Sequence, residues 1–445
     1  MSDYQDNDSA PQENRPFIRE TVVNETSGPP LWKKILTTAL LAVLFGVIAG
    51  AAFHFTQTRV FPPETTTAEP VSFPQETTAA PDETSVPTES APSATNPSAS
   101  LSPEDAEWQD IVQGMIDSHD LQIKDYQRMA IVLNGVRSDA QWSLVTVTAT
   151  NQDQSLFKGG HQYETQSFGV IIAMTDQEVL ILTPYSATTQ LSDSSTLQIG
   201  FANLEVTDAY IKARDGVADL MVMAVSRSKI TEQTLERIKA IRLGNSYVCY
   251  AGQPVIAMGA PIGGIIKSCN SGILTYIESA YPTTDASVAL LHTNMVGDEN
   301  AGGFLINLDG SLIGWIAPEY TSGGTLTAVG ISDLRAYIES ISNGSQGCYL
   351  GIEGIILSNE LKEALKTEAD GIYISRCTAG SPAQKAGLQA GDILIQVAGD
   401  PVRNLDELRT ILLSFTAEQT ISVKVLRKGR TSYQELTYDV NIERR

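Results

Sequence analysis

The pattern of apolar and polar residues divides the chain into segments of different kinds. Residues 35–55 form one uncharged apolar run, about 20 residues long, which is the length of a membrane-spanning helix. Polar residues dominate positions 1–34, and residues 56–101 consist mostly of Pro, Thr, Ser, Ala and Glu. These patterns predict a disordered tail, a transmembrane helix and an extended stalk, in that order.

The charges beside the apolar run predict its orientation. Lys33 and Lys34 precede it directly, whereas only Arg59 follows it closely. The positive-inside rule therefore predicts a cytoplasmic tail and an extracytoplasmic remainder, which means a single-pass protein of the cell membrane. A cleavable signal peptide is the alternative, but a long polar segment precedes the run and the run is long for a signal sequence.

Folded structure is predicted to resume after the stalk. Ser102 and Pro103, followed by two acids, have the form of a helix start, and residues 102–141 are predicted to be a helical lead-in. Short β-branched runs separated by turn residues fill 142–342, as in a barrel or sandwich. Gly and Ser at 342–347 then separate a further domain, 347–445.

Composition excludes several classes of function. The formal net charge of −22 argues against nucleic acid as a partner. The four cysteines show no C-x-x-C spacing, so no metal site is predicted, and their pairing stays open between disulfides and free thiols. The sequence contains no phosphate-binding glycine motif, and nothing in it implies a cofactor.

Gly297–Gly303 is a turn-rich run that leads into an apolar strand, an Asp309-Gly310 turn and a second strand. This region resembles the nucleophile loop of the HtrA/Deg family of trypsin-like serine proteases, which reads G-N-S-G-G-P-L-V-N-x-D-G. Further matching motifs follow in the family's order, among them F-G-V-I-I at 168–172 and A-D-L-M-V at 218–222. The resemblance implies a mainly β protein with a double six-stranded β-barrel of the chymotrypsin fold.

The chain departs from this family at the residues that carry the chemistry. Ala301 occupies the position of the serine nucleophile, and Ser186 occupies the position of the histidine base, so only Asp219 of the triad is retained. Glu299 and Asn300 belong to the former oxyanion loop, where the family has glycine at position 299. We expect Asp219 to hydrogen-bond Ser186 or a backbone amide.

Other residues could in principle replace the missing groups. His161 and His292 are the histidines nearest in sequence to the old site, and Ser271 and Ser311 are alternative hydroxyls. The two histidines are more typical of a loop and a strand end, and the family uses the two serine positions structurally. Substitute catalysis is therefore the weaker interpretation.

The last domain is similar to the PDZ domain of HtrA proteases. It contains Y-L-G-I at 349–352, G-S-P-A-Q-K-A-G-L at 380–388 and A-G-D-I at 390–393. The resemblance implies peptide binding by Tyr349, Leu350, Gly351, Ile352, Ile372 and Ile374. The amides at 349–352 would hold a peptide C-terminal carboxylate, the strand 371–375 would offer a free edge, and the helix 405–413 would line a pocket. Simple packing of this domain on the barrel is the alternative.

The favoured interpretation is an HtrA-like pseudoprotease anchored in the membrane. It would bind peptide or protein C-termini outside the cell as a scaffold, chaperone-like holder or modulator in protein quality control, as a homotrimer or in mixed oligomers with active relatives. Two alternatives stay open: an active trypsin-like endopeptidase with a non-standard catalytic pair, and an architectural envelope protein.

Overall fold

The structure is a computed structural model, and it describes residues 70–73, 123–152, 162–188, 195–321 and 323–445. The predicted tail, the transmembrane helix 35–55, the start of the lead-in helix and most of the stalk lie outside these residues. Within the described ranges, no helix combines the length and apolar character needed to cross a bilayer. Every described residue belongs to one compact unit of the chain, Glu69–Arg445.

One long helix comes before the first sheet. Helix α1 spans Ile123–Ala140. Leu133 and Val136 on this helix pack toward the core. Tyr126 and Ile131 are 71% and 70% exposed, so the helix presents apolar side chains to solvent as well.

The first sheet contains seven strand segments, of which β5 and β6 stand at its two ends. Their order across the sheet is β5-β4-β1-β2-β3-β7-β6. The segments are β1 Leu144–Gln152, β2 Gln162–Met174, β3 Glu178–Pro184, β4 Thr196–Gly200, β5 Val206–Asp208, β6 Tyr210–Asp215 and β7 Leu220–Ser226. The short helix α2, Glu232–Leu235, follows.

The two end segments of this sheet are continuous in the chain. Only Ala209 separates β5 from β6, and its N–H donates to the carbonyl of Leu197 on β4 at 2.9 Å. Since adjacent Cα atoms are about 3.8 Å apart, the sheet must curl until its ends meet. The prediction of six strands needs a correction here, because the run 206–215 bends at Ala209 and pairs as two segments instead of one.

The second sheet is a closed six-stranded barrel. Its order is β10-β13-β12-β11-β8-β9. The strands are β8 Pro254–Ala260, β9 Ser268–Thr283, β10 Ala286–Val296, β11 Gly302–Ile306, β12 Leu312–Ile316 and β13 Thr325–Gly330. Short 3-10 turns at Ser186–Thr188, Arg227–Lys229, Ser246–Val248 and Pro318–Tyr320 connect elements of the two sheets.

Strands β3 and β7 explain the continuous apolar runs in the sequence. Val179 and Ile181 face the core inside the first sheet, whereas Leu180 and Leu182 face a second core shared with the other barrel. Successive side chains of a strand point to opposite faces, so a strand buried on both faces needs apolar residues at every position. Phe168 and Trp315, with ring centroids 5.4 Å apart, join the two sheets across the shared core.

Helix α3, Ile331–Ser342, leads from the barrel to the last domain. There β14, Cys348–Tyr349, pairs with β21, Glu443–Arg444. The main sheet has the order β15-β16-β17-β19-β20, with β18 paired to β17. Its strands are β15 Ile352–Ile356, β16 Ile372–Cys377, β17 Ile393–Val397, β18 Asp400–Pro401, β19 Thr420–Lys428 and β20 Tyr433–Asn441. Its helices are α4 Asn359–Leu365, α5 Pro382–Ala386 and α6 Leu405–Ser414.

A short piece of the predicted stalk is bound to the folded domain. Val71 and Asn343 exchange two hydrogen bonds of 2.8 Å, between the Val71 backbone and the Asn343 side chain. Phe73 is 8% exposed and belongs to the shared core. Within the predicted stalk, residues 70–73 therefore pack on the folded domain, with Phe73 buried and Val71 half-buried.

All four cysteines lie in the described part of the chain, and none forms a disulfide bond. Cys348 is buried and Cys269 is exposed. The thiols of Cys348 and Cys377 donate to the backbone carbonyls of Phe415 and Leu388. Of the two possibilities left by the sequence, the structure contains thiols and not disulfides.

Candidate functional site: the protease cleft and the PDZ carboxylate loop

A cavity of about 500 Å³, which we call the protease cleft, lies between the two sheets. Residues of α3 and of the last domain also line it. The cavity brings together the three triad positions, Ser186, Asp219 and Ala301. Ser186 comes from the turn after β3, Asp219 from the turn before β7, and Ala301 from the loop before β11. The spacing of the family motifs therefore located one common site.

Asp219 is held by Ser186 through two hydrogen bonds. The Ser186 N–H donates to Asp219 Oδ1 at 2.5 Å, and the Ser186 hydroxyl donates to Asp219 Oδ2 at 2.8 Å. The expectation that Asp219 would bond Ser186 or a backbone amide is confirmed, and it does both. Burial raises the pKa of Asp219, while the two bonds from Ser186 act to lower it.

The backbone of Asp219 is also held in an unusual conformation. Its φ is +51°, in the left-handed region that Asp adopts more readily than most residues. Asp215, at the other end of the turn, accepts from the N–H groups of Val217 and Ala218 at 3.0 Å each. These bonds from Val217 and Ala218 stabilise the turn that leads to Asp219.

The loop that carries Ala301 is folded back on itself. The Ala301 N–H donates to the carbonyl of Asp298 at 3.0 Å, and the Asn300 N–H donates to Asp298 Oδ1 at 2.9 Å. Ala301 is 2% exposed and packs in the core of the second barrel, whereas Glu299 and Asn300 are exposed. Since an oxyanion hole needs N–H groups aimed at the reacting oxygen, an Ala301 amide bonded to Asp298 does not supply one.

A further carboxylate faces the cavity. Glu319 lies on the 3-10 turn after β12 and lines the same space as Asp219. Burial, and the negative charge of Asp219, raise the pKa of Glu319. Glu299 also lines the protease cleft. The cleft therefore contains carboxylates and the hydroxyl of Ser186, whereas residue 301 contributes only a methyl group.

The candidate replacement residues do not meet in the cleft. His292 lies on β10, where its Nδ1 is 3.2 Å from the Thr327 hydroxyl and its ring stacks on Tyr276, and it does not line the cavity. Ser311 Oγ accepts from Arg242 Nε at 2.8 Å. Ser271 lies within β9, paired with Ile256. His161 lies outside the described residues.

The loop 349–352 of the last domain, which we call the carboxylate loop, holds a carboxylate group. That carboxylate belongs to this chain. The side chain of Asp285, in the β9–β10 hairpin, accepts from the N–H groups of Leu350 at 2.7 Å, Gly351 at 2.9 Å and Ile352 at 2.9 Å. Asp285 is 0% exposed. Three consecutive amides therefore converge on one carboxylate, as in an anion-binding nest.

The shape of this loop depends on Gly351. Its φ is +86°, and a Cβ there would lie 2.2 Å from the Cβ of Ser381. Only glycine allows this backbone conformation and this close approach together. Tyr349, the first predicted loop residue, pairs with Glu443 in β14, and its N–H is not one of the three that hold Asp285.

The prediction of a free edge at 371–375 is wrong. Strand β16 pairs with β15 on one side and with β17 on the other, and both Ile372 and Ile374 are 0% exposed in the core of the domain. The sheet ends at β15 and at β20, and the end strand next to β16 is β15, whose Ile355 and Ile356 are exposed. The sequence pattern marks both strands as apolar, and it does not show which one ends the sheet.

Arg445 connects the carboxylate loop with the protease cleft. Its Nε donates to Asp215 Oδ2 at 2.7 Å, and each side chain of this pair is 4% exposed. Its guanidinium also lies over the Tyr337 ring, 4.2 Å from the centroid, and it lines the cavity. The positive charge of Arg445 acts to lower the pKa of Asp285, while burial raises it more strongly.

Comparison with known proteins agrees with this organisation. A family model for a trypsin-like peptidase domain matches residues 168–314, and a model for a PDZ domain matches residues 349–437. The chain is therefore similar to trypsin-like peptidases over residues 168–314 and to PDZ domains over residues 349–437. The curated proteins that it resembles include serine proteases of the DegP and HtrA type.

Two curated relatives illustrate the similarity. A probable periplasmic serine endoprotease DegP-like of Marinomonas sp. (strain MWYL1) is 30% identical over 228 residues, which cover 48% of this chain and 47% of the relative. The serine protease Do-like HtrA of Bacillus subtilis (strain 168) is 26% identical over 309 residues, covering 62% and 64%. The matched regions thus span about half to two thirds of these relatives. The solved structure of the HtrA-type protease AlgW with decapeptide aligns with a TM-score of 0.47 at 20% identity, over 70% of this chain and 98% of that chain.

Sequence reasoning missed three residues of these sites: Asp285, Glu319 and Arg445. Each lies outside the motifs that define the fold. An aspartate in a Thr-Thr-Asp hairpin turn is typical of a solvated turn, so no local signal shows that it is buried. An alignment of many relatives, in which Asp285 and the loop 349–352 changed together, would have been the signal to look for.

Proposed function

We propose that this protein is a pseudoprotease that binds proteins without cleaving them. The main support for this proposal is Ala301. Its methyl group lies at the nucleophile position, and its N–H donates to the Asp298 carbonyl. Hydrolysis through an acyl-enzyme needs an activated nucleophile and a site for the oxyanion. The loop at 301 supplies neither, and Ser186 has no useful basicity at the position of the general base.

We propose that its binding function belongs to the PDZ domain and is directed at the C-termini of peptides or proteins. The nest at 350–352 supports this, since its three amides already hold a carboxylate group. PDZ domains capture C-terminal carboxylates in nests of this kind. The relatives named as periplasmic endoproteases favour an extracytoplasmic role in protein quality control, as scaffold, chaperone-like holder or modulator of an active relative.

The proposed setting is the outer face of the cell membrane. The apolar run 35–55 would anchor the chain, with Lys33 and Lys34 on the cytoplasmic side. The exposed apolar side chains of α1, including Tyr126 and Ile131, support assembly into a homotrimer or a mixed oligomer with active relatives.

The test is to incubate the full-length chain, in detergent micelles, with unfolded casein and with a fluorophosphonate serine probe. The Bacillus subtilis relative serves as the positive control. We expect neither cleavage nor labelling in a sample that melts cooperatively. Cleavage that co-purifies with the chain and is lost in Ser186→Ala or His292→Ala would overturn the proposal and support a non-standard catalytic pair.

A further inference from the structure

Asp285 makes both of the main-chain contacts that a bound peptide C-terminus would make. Its carboxylate occupies the nest of Leu350, Gly351 and Ile352, and its own N–H donates to the carbonyl of Ile352 at 2.7 Å. In strand addition, the last residue of a ligand places its carboxylate in the nest and its N–H on the first carbonyl of the edge strand. Asp285 reproduces this pattern with a side-chain carboxylate.

No room is left in the nest for a second carboxylate. All three amides point at the two oxygens of Asp285, which is completely buried. Gly351 N–H lies 2.9 Å from each of these oxygens. A ligand carboxylate therefore needs the same donors and must replace Asp285 to reach them.

The hairpin that carries Asp285 also covers the approach to the edge strand. Strand β9 packs against β15, and helix α6 packs against β10. Thr284, beside Asp285, has its hydroxyl 3.5 Å from that of Thr378, which follows β16. The barrel hairpin thus lies where an added peptide strand would enter.

Resting on the proposed function, we propose that Asp285 is an intramolecular ligand that closes the PDZ carboxylate site. A protein C-terminus binds only when the hairpin around residues 282–286 withdraws, so the barrel regulates the PDZ domain by competition. The position of the hairpin sets the fraction of molecules whose site is open. The apparent affinity for a protein C-terminus is proportional to that open fraction. A site open about one tenth of the time binds about tenfold more weakly than an open one.

The test measures binding to the full-length chain by fluorescence polarisation. The probe is a labelled library of random decapeptides with free C-terminal carboxylates, and the same library with amidated C-termini is the reference. The variant is Asp285→Ala, and the matched control is Asp309→Ala, which removes an exposed turn aspartate of the same barrel. We expect Asp285→Ala to bind the free-carboxylate library at least about tenfold more tightly than the wild type, with no gain for the amidated library and none for Asp309→Ala.

A second variant tests the same idea in the opposite direction and does not remove the buried carboxylate. Thr284→Cys with Thr378→Cys, combined with Cys269→Ser to remove the exposed thiol, should crosslink the hairpin to the PDZ domain. We expect the oxidised form to lose binding of the free-carboxylate library and the reduced form to regain it. Equal binding by the wild type, Asp285→Ala and the oxidised crosslink would overturn the inference alone. Absence of binding by every form would overturn the proposed PDZ function together with it.

Discussion

The protease cleft and the PDZ carboxylate loop differ in what fills them. The cleft keeps about 500 Å³ of open space around Asp219, whose side chain has the N–H and hydroxyl of Ser186 as its donors. The loop has no open space around Asp285, whose side chain has three amide donors. One aspartate lines an open cavity, and the other is completely buried among its donors.

This difference shows that a motif and an available site are separate properties. The cleft has Ser186 and Ala301 at two of the three triad positions around an open cavity, whereas the PDZ domain has the residues of its motif and a loop that Asp285 occupies. Arg445 faces both sites, through Asp215 beneath the cleft and through its charge near Asp285. Variants at these residues test how independent the two sites are.

The largest effect is expected for Arg445→Gln. The change leaves Asp215 buried without its ion-pair partner, and it removes a positive charge from the surroundings of Asp285. Breaking one partner of a buried ion pair costs about 3–5 kcal/mol, because the remaining charge is not compensated. We expect urea denaturation to give a loss of that size in the free energy of unfolding.

Arg444→Gln is the matched control for this prediction, since Arg444 is adjacent and exposed. We expect it to change stability by less than about 0.5 kcal/mol. The double variant Asp215→Asn with Arg445→Gln should recover part of the loss. Equal, small effects of Arg444→Gln and Arg445→Gln would mean that the pair does not hold the PDZ domain to the barrel.

The same substitution at the two aspartates compares the sites directly. Asp285→Ala leaves three buried amides without an acceptor, at a cost of about 3 kcal/mol in the free energy of unfolding. Asp219→Ala removes the acceptor of an exposed serine and places Ala in a left-handed conformation, at a cost of about 1 kcal/mol. Urea denaturation measures both, and a larger cost at Asp219 would reverse the comparison.

The sequence predicted much of the fold because the fold depends on local signals. The loop Gly297–Gly303, the Asp309-Gly310 turn and the apolar runs of β3 and β7 identify the barrels without any long-range information. The positions of Ser186, Asp219 and Ala301 follow from motif spacing, and the structure brings all three to one cavity. Each of these motifs consists of neighbouring residues, so the sequence alone is enough to recognise it.

The occupancy of the PDZ loop could not be predicted in this way. Asp285 and Gly351 are 66 positions apart, and neither segment carries a pattern that refers to the other. The prediction of a free edge at 371–375 fails for the same reason. The segments Ile352–Ile356 and Ile372–Cys377 are both apolar, and only the strand pairing shows which of the two is outermost. The folded-back amide of Ala301 likewise depends on the geometry of one turn.

Restoring the protease residues would measure how much of the cleft survives. The triple variant Ser186→His, Glu299→Gly and Ala301→Ser returns a base and a nucleophile next to Asp219. We expect it to gain labelling by a fluorophosphonate probe. We also expect its hydrolysis of a peptide ester to stay about 100-fold below that of the Bacillus subtilis relative, which is the typical loss for one missing oxyanion donor.

The reason for this limit is the bond from the residue 301 N–H to the Asp298 carbonyl. The double variant Ser186→His with Ala301→Ser, which keeps Glu299, is the control, and it should label more slowly than the triple variant. Hydrolysis by the triple variant at the full rate of the relative would mean that the loop reopens without cost. The cleft would then differ from an active one only in its side chains.

The smallest effect is expected for Glu319→Gln, which tests the electrostatics of the open cleft. Burial and Asp219 raise the pKa of Glu319 above its unfolded value of about 4.3. A group with a raised folded-state pKa contributes stability below its unfolded pKa and loses that contribution as the pH rises through the folded-state pKa. Glu319→Gln removes this loss, so we expect a gain of about 0.5 kcal/mol at pH 7, after discounting for solvent exposure, and no gain near pH 4. Urea denaturation at the two pH values measures the gain, which should shrink in an Asp219→Asn background. An equal gain at both pH values would show that ionisation of Glu319 is not its cause.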